Sequence, residues 1–198
     1  MPKIVDHEAR RAQIVEAVWD VVGREGVSAL SVRSVAAAGG WSTGSLRHYF
    51  ASQSDLTVFA MRAVMDRIRD RGQAMSPVAD IDGILELLAV ALPVDDDSRA
   101  ETEVWLALSV AARTDRRLAA LARQGFDELR AMVRSCVEGI GAIADVELDI
   151  ESETDRLVAL VDGLAMQASL YPDALPADRQ RAALRAHVDG LIRRSSSV

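Results

Sequence analysis

The 198-residue sequence predicts an all-α fold of about nine helices. Apolar residues recur at helical spacing along nearly the whole chain, and no stretch alternates polar and apolar residues with β-branched enrichment. Helix caps and Gly or Pro breakers fall at intervals that suit helices rather than strands.

The first helix is expected from about 6 to 24, with Ile14, Ala17, Val18, Val21 and Val22 at helical spacing and Gly26 as its stop. Ser31 caps a short second helix reaching Ala38. Gly39 and Gly40 then break the chain, and Ser42 caps a third helix that ends near Phe50. Ser52 and Asp55 have capping-box spacing, in which each side chain satisfies an otherwise orphaned backbone N–H. They open a long fourth helix to about Arg71, ended by Gly72 and Pro77. A fifth helix fits 80–92 before Pro93, and a second box at Ser98 and Glu101 opens a sixth. Thr114 caps a seventh that ends near Gly139 or Gly141. The acidic run 149–155 leads into an eighth, stopped at Pro172. Pro176 suits the first turn of a ninth, to about Arg194, and the tail after Arg193 is expected to fray.

Net charge is −7, but its distribution is uneven. Residues 1–50 hold six basic and five acidic side chains, a balance of +1, which leaves −8 on the remainder. A near-neutral head on an acidic body is compatible with a head that reads nucleic acid, although such an imbalance is also common in proteins that bind nothing charged. Cys136 is the single cysteine, which excludes intrachain disulfides and Cys-rich zinc sites. No window approaches the ~18 apolar residues of a membrane span, and the first eleven residues are charged, so the expected location is the cytoplasm, with no membrane partner. H-E-x-x-H, G-x-S-x-G, P-loop and G-x-G-x-x-G patterns are absent, and His7, His48 and His187 are scattered. Asp80–Gly83 and 95–97 lack the spaced Glu of a calcium loop. Neither catalytic residues, nor a metal site, nor a cofactor are expected. An enzyme, and a helical interaction or architectural protein that binds DNA without a ligand switch, are the competing classes.

Residues 30–50 read LSVRSVAAAGGWSTGSLRHYF and suit a helix-turn-helix. Val32, Val35 and Ala36 face inward on one short helix, and Leu46 and Phe50 anchor the next. Thr43 and Arg47 then share another face, where a hydroxyl and a guanidinium can reach phosphates or base edges. At Val35-Ala36, Gly39-Gly40, Ser42-Thr43-Gly44-Ser45-Leu46, His48-Tyr49-Phe50 and the Ser52–Asp55 box, the sequence resembles the Tet repressor family of bacterial regulators. The match covers about the first 56 residues. The resemblance implies a DNA-binding domain over 1–52 and a ligand-sensing and dimerisation domain over 53–198. It also implies contact with operator double-stranded DNA by Arg33, Ser42, Thr43, Gly44, Ser45, Arg47, His48 and Tyr49. Trp41 stands where such proteins usually have a small aliphatic residue, and Gln53 where a basic residue is common.

The same resemblance implies a cavity for a small-molecule effector among the fourth to seventh helices, for which Met61, Met65, Leu88, Trp105, Leu108 and Phe126 are the candidate lining. Ordinary core packing competes for each of them. Ser109, Gln124 and Asp162 are candidate polar contacts. On the last two helices, Leu157, Leu160, Val161, Leu164 and Ala168 form one apolar stripe and Leu184, His187, Val188, Leu191 and Ile192 another. Apolar character extends so far around the eighth helix that burial on two sides is expected, and the family arrangement implies a four-helix homodimer interface through Leu157, Leu160, Val161, Leu164, Ala168, Leu184, Val188 and Leu191. A purely intrachain core is the competing reading. His187 is expected to be packed and hydrogen-bonded rather than to ligate metal.

Overall fold

A computed structural model describes residues 7–75 and 78–195. Nine α-helices and one short 3₁₀ turn form among these residues, with no strand: α1 His7–Glu25, α2 Val32–Ala38, α3 Thr43–Arg47, α4 Gln53–Ala74, α5 Ile81–Ala89, α6 Asp96–Ala111, α7 Arg116–Ala144, α8 Ile150–Leu170 and α9 Ala177–Ser195. The expected first residue of α1, Asp6, and the breaker Pro77 lie outside the described residues, as does the end of the tail.

The chain divides into two compact units. One runs up to Val64 and adds Glu103–Leu121; the other comprises Met65–Thr102 and the chain from Ala122 onward. The described part of the expected head, 7–52, falls inside the first unit, which also takes in the start of α4 and the corner between α6 and α7. In the first unit Ile14, Val18, Val21 and Val22 of α1 are at most 3% exposed, and Val35, Ala36, Leu46 and Leu56 are equally buried. Complete burial of each large side chain contributes about 1.5–3 kcal/mol, so these few residues give the short helices a core of their own.

The core of the second unit is formed by Ile84, Leu85, Leu88 and Leu92, by Val133, Val137 and Ile140 of α7, and by the inward faces of α8 and α9. Arg130 of α7 pairs with Glu151 and Asp155 of α8, and Arg181 and Arg185 of α9 pair with Glu86 and Asp82 of α5. These bridges are solvent-accessible and contribute little beyond register.

The boundaries of α6 and α7 differ from expectation, each for a local reason. The cap of α6 is Asp95 with Ser98, not Ser98 with Glu101: the Ser98 N–H donates to Asp95 at 2.8 Å and the Asp95 N–H to Ser98 at 3.0 Å. Glu101 is 2% exposed and accepts hydrogen bonds from Arg67 at 3.2 Å and from Arg71 at 2.6 and 3.0 Å. Asp115 rather than Thr114 caps α7, accepting from the N–H groups of Arg117 and Leu118. That helix continues through Gly139, where a Cβ would stand 3.1 Å from Ile84 Cδ1, so the residue is small to admit α5. It stops at Ala144, where Asp145 takes a left-handed φ of 52° and the Val146 N–H bonds back to Gly141 at 3.0 Å.

Candidate nucleic-acid interface

Leu46 and Phe50 fix α3 to the head; they are 1% and 4% exposed. Phe50 meets Phe59 of α4 edge to face, with ring centroids 5.1 Å apart. With these positions inward, the other side of the segment faces water. Ser42, Thr43, Gly44, Ser45, Arg47 and His48 are all exposed, and Tyr49 is half-buried. Thr43 and Arg47 are one helical turn apart on this outer side.

The sequence carries this helix to Phe50, whereas α3 ends at Arg47. His48 is its C-cap, and the N–H groups of Tyr49 and Phe50 both bond back to the Leu46 carbonyl, at 2.9 and 3.0 Å. Ser42 uses its hydroxyl locally, accepting from the Ser45 N–H at 3.1 Å. A reciprocal Ser31–Ser34 box opens α2, and the Ser34 hydroxyl also donates to the Ala29 carbonyl at 2.7 Å. Arg33 is exposed on α2 and lines an open groove of about 480 Å³ with Asp20, Arg24 and Glu25 of α1.

The first turn of α4 is fastened at several points. Ser52 and Asp55 form the expected box, with Ser52 N–H to Asp55 at 3.0 Å and Asp55 N–H to Ser52 at 3.2 Å. Gln53 donates to the Leu30 carbonyl at 2.6 Å, which ties α4 to the chain entering α2. Ser54 donates to Asp115 at 3.3 Å and Arg117 to Asp55 at 2.8 Å, which ties α4 to the start of α7 within the same unit. The Arg117 guanidinium and the Ser52 cap hold the Asp55 carboxyl below the usual carboxylate range. The Asp115 carboxyl is likewise held low by the N–H groups it caps.

The candidate effector lining separates into distinct environments. Met61 and Leu108, in the first unit, are 0% and 6% exposed, and Trp105, one turn before Leu108 on α6, is half-buried. The Ser109 hydroxyl on the same helix is buried without a hydrogen-bond partner. Met65 and Leu88 belong to the second unit and are 6% and 0% exposed, Leu88 within its core cluster. Phe126 is corrected to a surface position: it is 42% exposed, and the Arg123 guanidinium lies 5.8 Å from its ring centre. Gln124 donates to Glu128, and Asp162 is exposed on α8.

Seven of the eight residues assigned to a partner contact lie in the chain's own core. Leu157, Val161, Leu164, Ala168, Leu184, Val188 and Leu191 are each at most 7% exposed, and Leu160 is half-buried. The outer face of α8 instead carries Ala159, Gly163, Met166 and Leu170, with Met166 47% and Leu170 60% exposed. Periodicity alone found the apolar circumference but could not say which arc the chain itself covers. His187 is packed but not hydrogen-bonded at Nε2, which is buried without a partner, as is one oxygen of Glu153. Burial pushes the His187 imidazole below its usual value, with Arg194 and Arg156 acting in the same direction and Glu153 against them. Among the described residues no helix is long and apolar enough to cross a membrane, and no group of His, Cys, Asp and Glu is placed to hold a metal.

Residues 81–193 match the family model described as BetI-type transcriptional repressor, C-terminal. The chain is 36% identical to the HTH-type transcriptional regulator PksA of Bacillus subtilis (strain 168), covering 96% of this chain and 94% of that one. It is 28% identical to the HTH-type transcriptional regulator BetI of Rhizobium meliloti (strain 1021), over 96% and 97%. A crystal structure of a transcriptional regulator from Rhodococcus sp. Rha1 superposes with a TM-score of 0.81 at 26% identity, covering 95% of this chain and 98% of that one. A regulator from Saccharomonospora viridis in complex with choline shares the fold with a TM-score of 0.81 at 23% identity, covering 92% and 96%.

Proposed function

From the premise that the chain belongs to the Tet repressor family of DNA-binding transcriptional regulators, and is not an enzyme, we propose that it is a cytoplasmic repressor that binds a palindromic operator as a homodimer and is released by a small, largely apolar effector. The observation that carries the operator reading is the outer side of α3. Thr43, Gly44, Ser45, Arg47 and His48 are exposed together on a helix whose inner side is pinned by Leu46 and Phe50, so their side chains are held by a rigid element and free to meet a groove. Arg47 suits a bidentate contact with a guanine edge, and Thr43 a phosphate or base-edge contact. Arg33, Ser42 and Tyr49 complete the proposed contact set. The Gln53 amide is engaged by the Leu30 carbonyl, which argues against its serving as the phosphate contact of α4.

For the dimer, the supporting observation is the outer arc of α8, where Ala159, Met166 and Leu170 are exposed beside half-buried Gly163 and exposed Asp162, and which in a two-fold arrangement meets its own copy. For the effector, the support is that buried Met61 and Leu108 and half-buried Trp105 fall in one compact unit, with the unpartnered Ser109 hydroxyl on α6 as an orienting polar group. A choline-like cation is recognised by several aromatic faces. From α4 onward the aromatics are Phe59, whose ring already packs edge to face on Phe50, and Trp105, Phe126 and Tyr171, of which the last two are 42% and 62% exposed. That composition favours an apolar effector over the quaternary ammonium held by the Saccharomonospora viridis regulator.

Selection of duplexes from a random pool, followed by gel shift, tests this reading. The expected product is an inverted repeat bound by two copies and lost steeply with salt. Recovery of no duplex, or of a non-symmetric site bound by one copy, overturns it.

A further inference from the structure

Trp41 stands immediately before Ser42, the residue that caps the recognition helix, and its backbone N–H is held by the Ala36 carbonyl at 2.8 Å. Two neighbours fix its ring. On one side is Gly39, where a Cβ would fall 2.3–2.5 Å from three ring carbons. Gly39 has an ordinary φ of −82°, so its missing side chain makes space for the indole rather than serving the backbone; at Gly40, by contrast, φ is +68°. The second neighbour is Arg10 of α1, whose guanidinium carbon lies 5.1 Å from the ring centre, within cation–π range.

We propose that Arg10 is a DNA-backbone contact outside the helix-turn-helix, and that Trp41 is the positioning residue that holds it beside the start of α3. A guanidinium stacked on an aromatic face keeps its in-plane N–H donors available for a phosphate. Among the described residues Arg10 donates one hydrogen bond, a long 3.4 Å contact to Gln13 on the exposed side of α1. The ring that holds it belongs to the residue directly before the exposed Ser42–Ser45 segment, so the cation lies at the edge of the surface that meets DNA. The charge balance gives the contact a purpose. The head carries a net charge of only +1, and its α4 position 53 holds an amide turned onto the Leu30 carbonyl instead of a cation. Phosphate attraction must therefore come from the few cations of the head, and among the described residues Arg10 is one whose guanidinium an aromatic ring orients.

The test uses the full-length protein and a labelled duplex of random sequence, with affinity followed by anisotropy over about 50–200 mM salt. Arg10→Gln is expected to weaken binding about 3- to 10-fold and to reduce the salt slope by about one, the share of one released counterion. Trp41→Leu should weaken binding comparably, Trp41→Phe should keep it, and the Arg10→Gln/Trp41→Leu pair should be no worse than the weaker single variant. Circular dichroism separates a folding defect in Trp41→Leu from lost positioning, and Arg10→Gln, on the surface of α1, decides the contact itself. A wild-type affinity and slope in Arg10→Gln overturns the contact while leaving operator binding by α3 intact. A folded Trp41→Leu with wild-type binding overturns the positioning role. A wild-type protein that binds no duplex at any salt overturns both this inference and the operator reading.

Discussion

Met166→Glu separates partner contact from chain folding, because Met166 and Leu164 sit two residues apart on α8 and face different surroundings. Leu164 is 7% exposed within the core of its own unit, whereas Met166 is 47% exposed. A carboxylate at 164 enters an apolar core without a partner, at a cost of several kcal/mol against a typical total stability of about 5–15 kcal/mol. Leu164→Glu is therefore expected to unfold the second unit, not merely to separate copies. A carboxylate at 166 stays hydrated in the single chain. In a two-fold dimer, half a methionine side chain removed from water contributes about 1 kcal/mol in each copy, and facing carboxylates add a desolvation and repulsion term of similar size. The sum of about 3 kcal/mol weakens association on the order of 100-fold. Sedimentation velocity over a concentration series, with circular dichroism of the same samples, reads both effects. Met166→Glu should keep wild-type helicity and sediment as a monomer where wild type is a dimer, while Leu164→Glu should lose helicity. A Met166→Glu variant that still dimerises with wild-type affinity, or a Leu164→Glu variant that remains folded and monomeric, would refute the assignment of the two arcs.

Three further expectations follow from named contacts. Arg47→Ala should cost about 1–3 kcal/mol of operator affinity and relax one base position, while Thr43→Ala should weaken all sequences more evenly; unchanged affinity in both would place the contact surface elsewhere. The His187 imidazole is pushed below its usual value by burial, so the unfolded chain binds its proton more readily than the folded one. Its share of stability is complete above the unfolded pKa of about 6.5 and is lost as pH falls towards the lower folded value. The urea midpoint should fall more steeply with acid in wild type than in His187→Gln, and parallel curves would remove His187 as the cause. Burial pushes the Cys136 thiol up to about 12, so native protein should resist alkylation at pH 8 and react on denaturation; fast native labelling would contradict its packing.

The sequence was most legible where local chemistry decides the structure. Ser31, Ser42 and the Ser52–Asp55 pair cap helices as their spacing implies, because a cap is settled within four residues. Legibility failed where two local solutions were equally good. Asp95 and Glu101 both lie three residues from Ser98, and the choice fell to Asp95 because Arg67 and Arg71, some thirty residues away, claim Glu101. It failed again on α8, where composition is apolar around most of the circumference and the covered arc depends on α5, α7 and α9. Phe126 was misplaced for a related reason: an aromatic residue is a good candidate lining by type, but Arg123 three residues earlier gives its ring a surface partner. The Arg10–Trp41 stack had a sequence signal in the unusual Trp41, yet the thirty intervening residues hid its partner.

The distribution of contacts also bears on how an effector could act. A ligand lowers operator affinity only by binding more tightly to a conformation in which the two heads are wrongly placed. A flexible joint at the 52/53 boundary would insulate the head from such a change. The contacts at that boundary argue against a joint: Gln53 holds Leu30, Ser54 holds Asp115, and Asp55 holds both Ser52 and Arg117. Met61, Trp105 and Leu108 fall in the same compact unit as α3. An effector that displaces these side chains therefore acts on a unit in which α4 is stitched to the chain entering α2 and to the start of α7, and transmits its effect as a rigid movement of that unit rather than as local disorder. By reciprocity, operator DNA must then weaken effector binding by the same factor by which effector weakens operator binding. Cutting the stitch with Arg117→Ala should reduce that factor while leaving effector affinity in the absence of DNA nearly unchanged. An undiminished factor in Arg117→Ala would mean that the signal bypasses the α4–α7 corner.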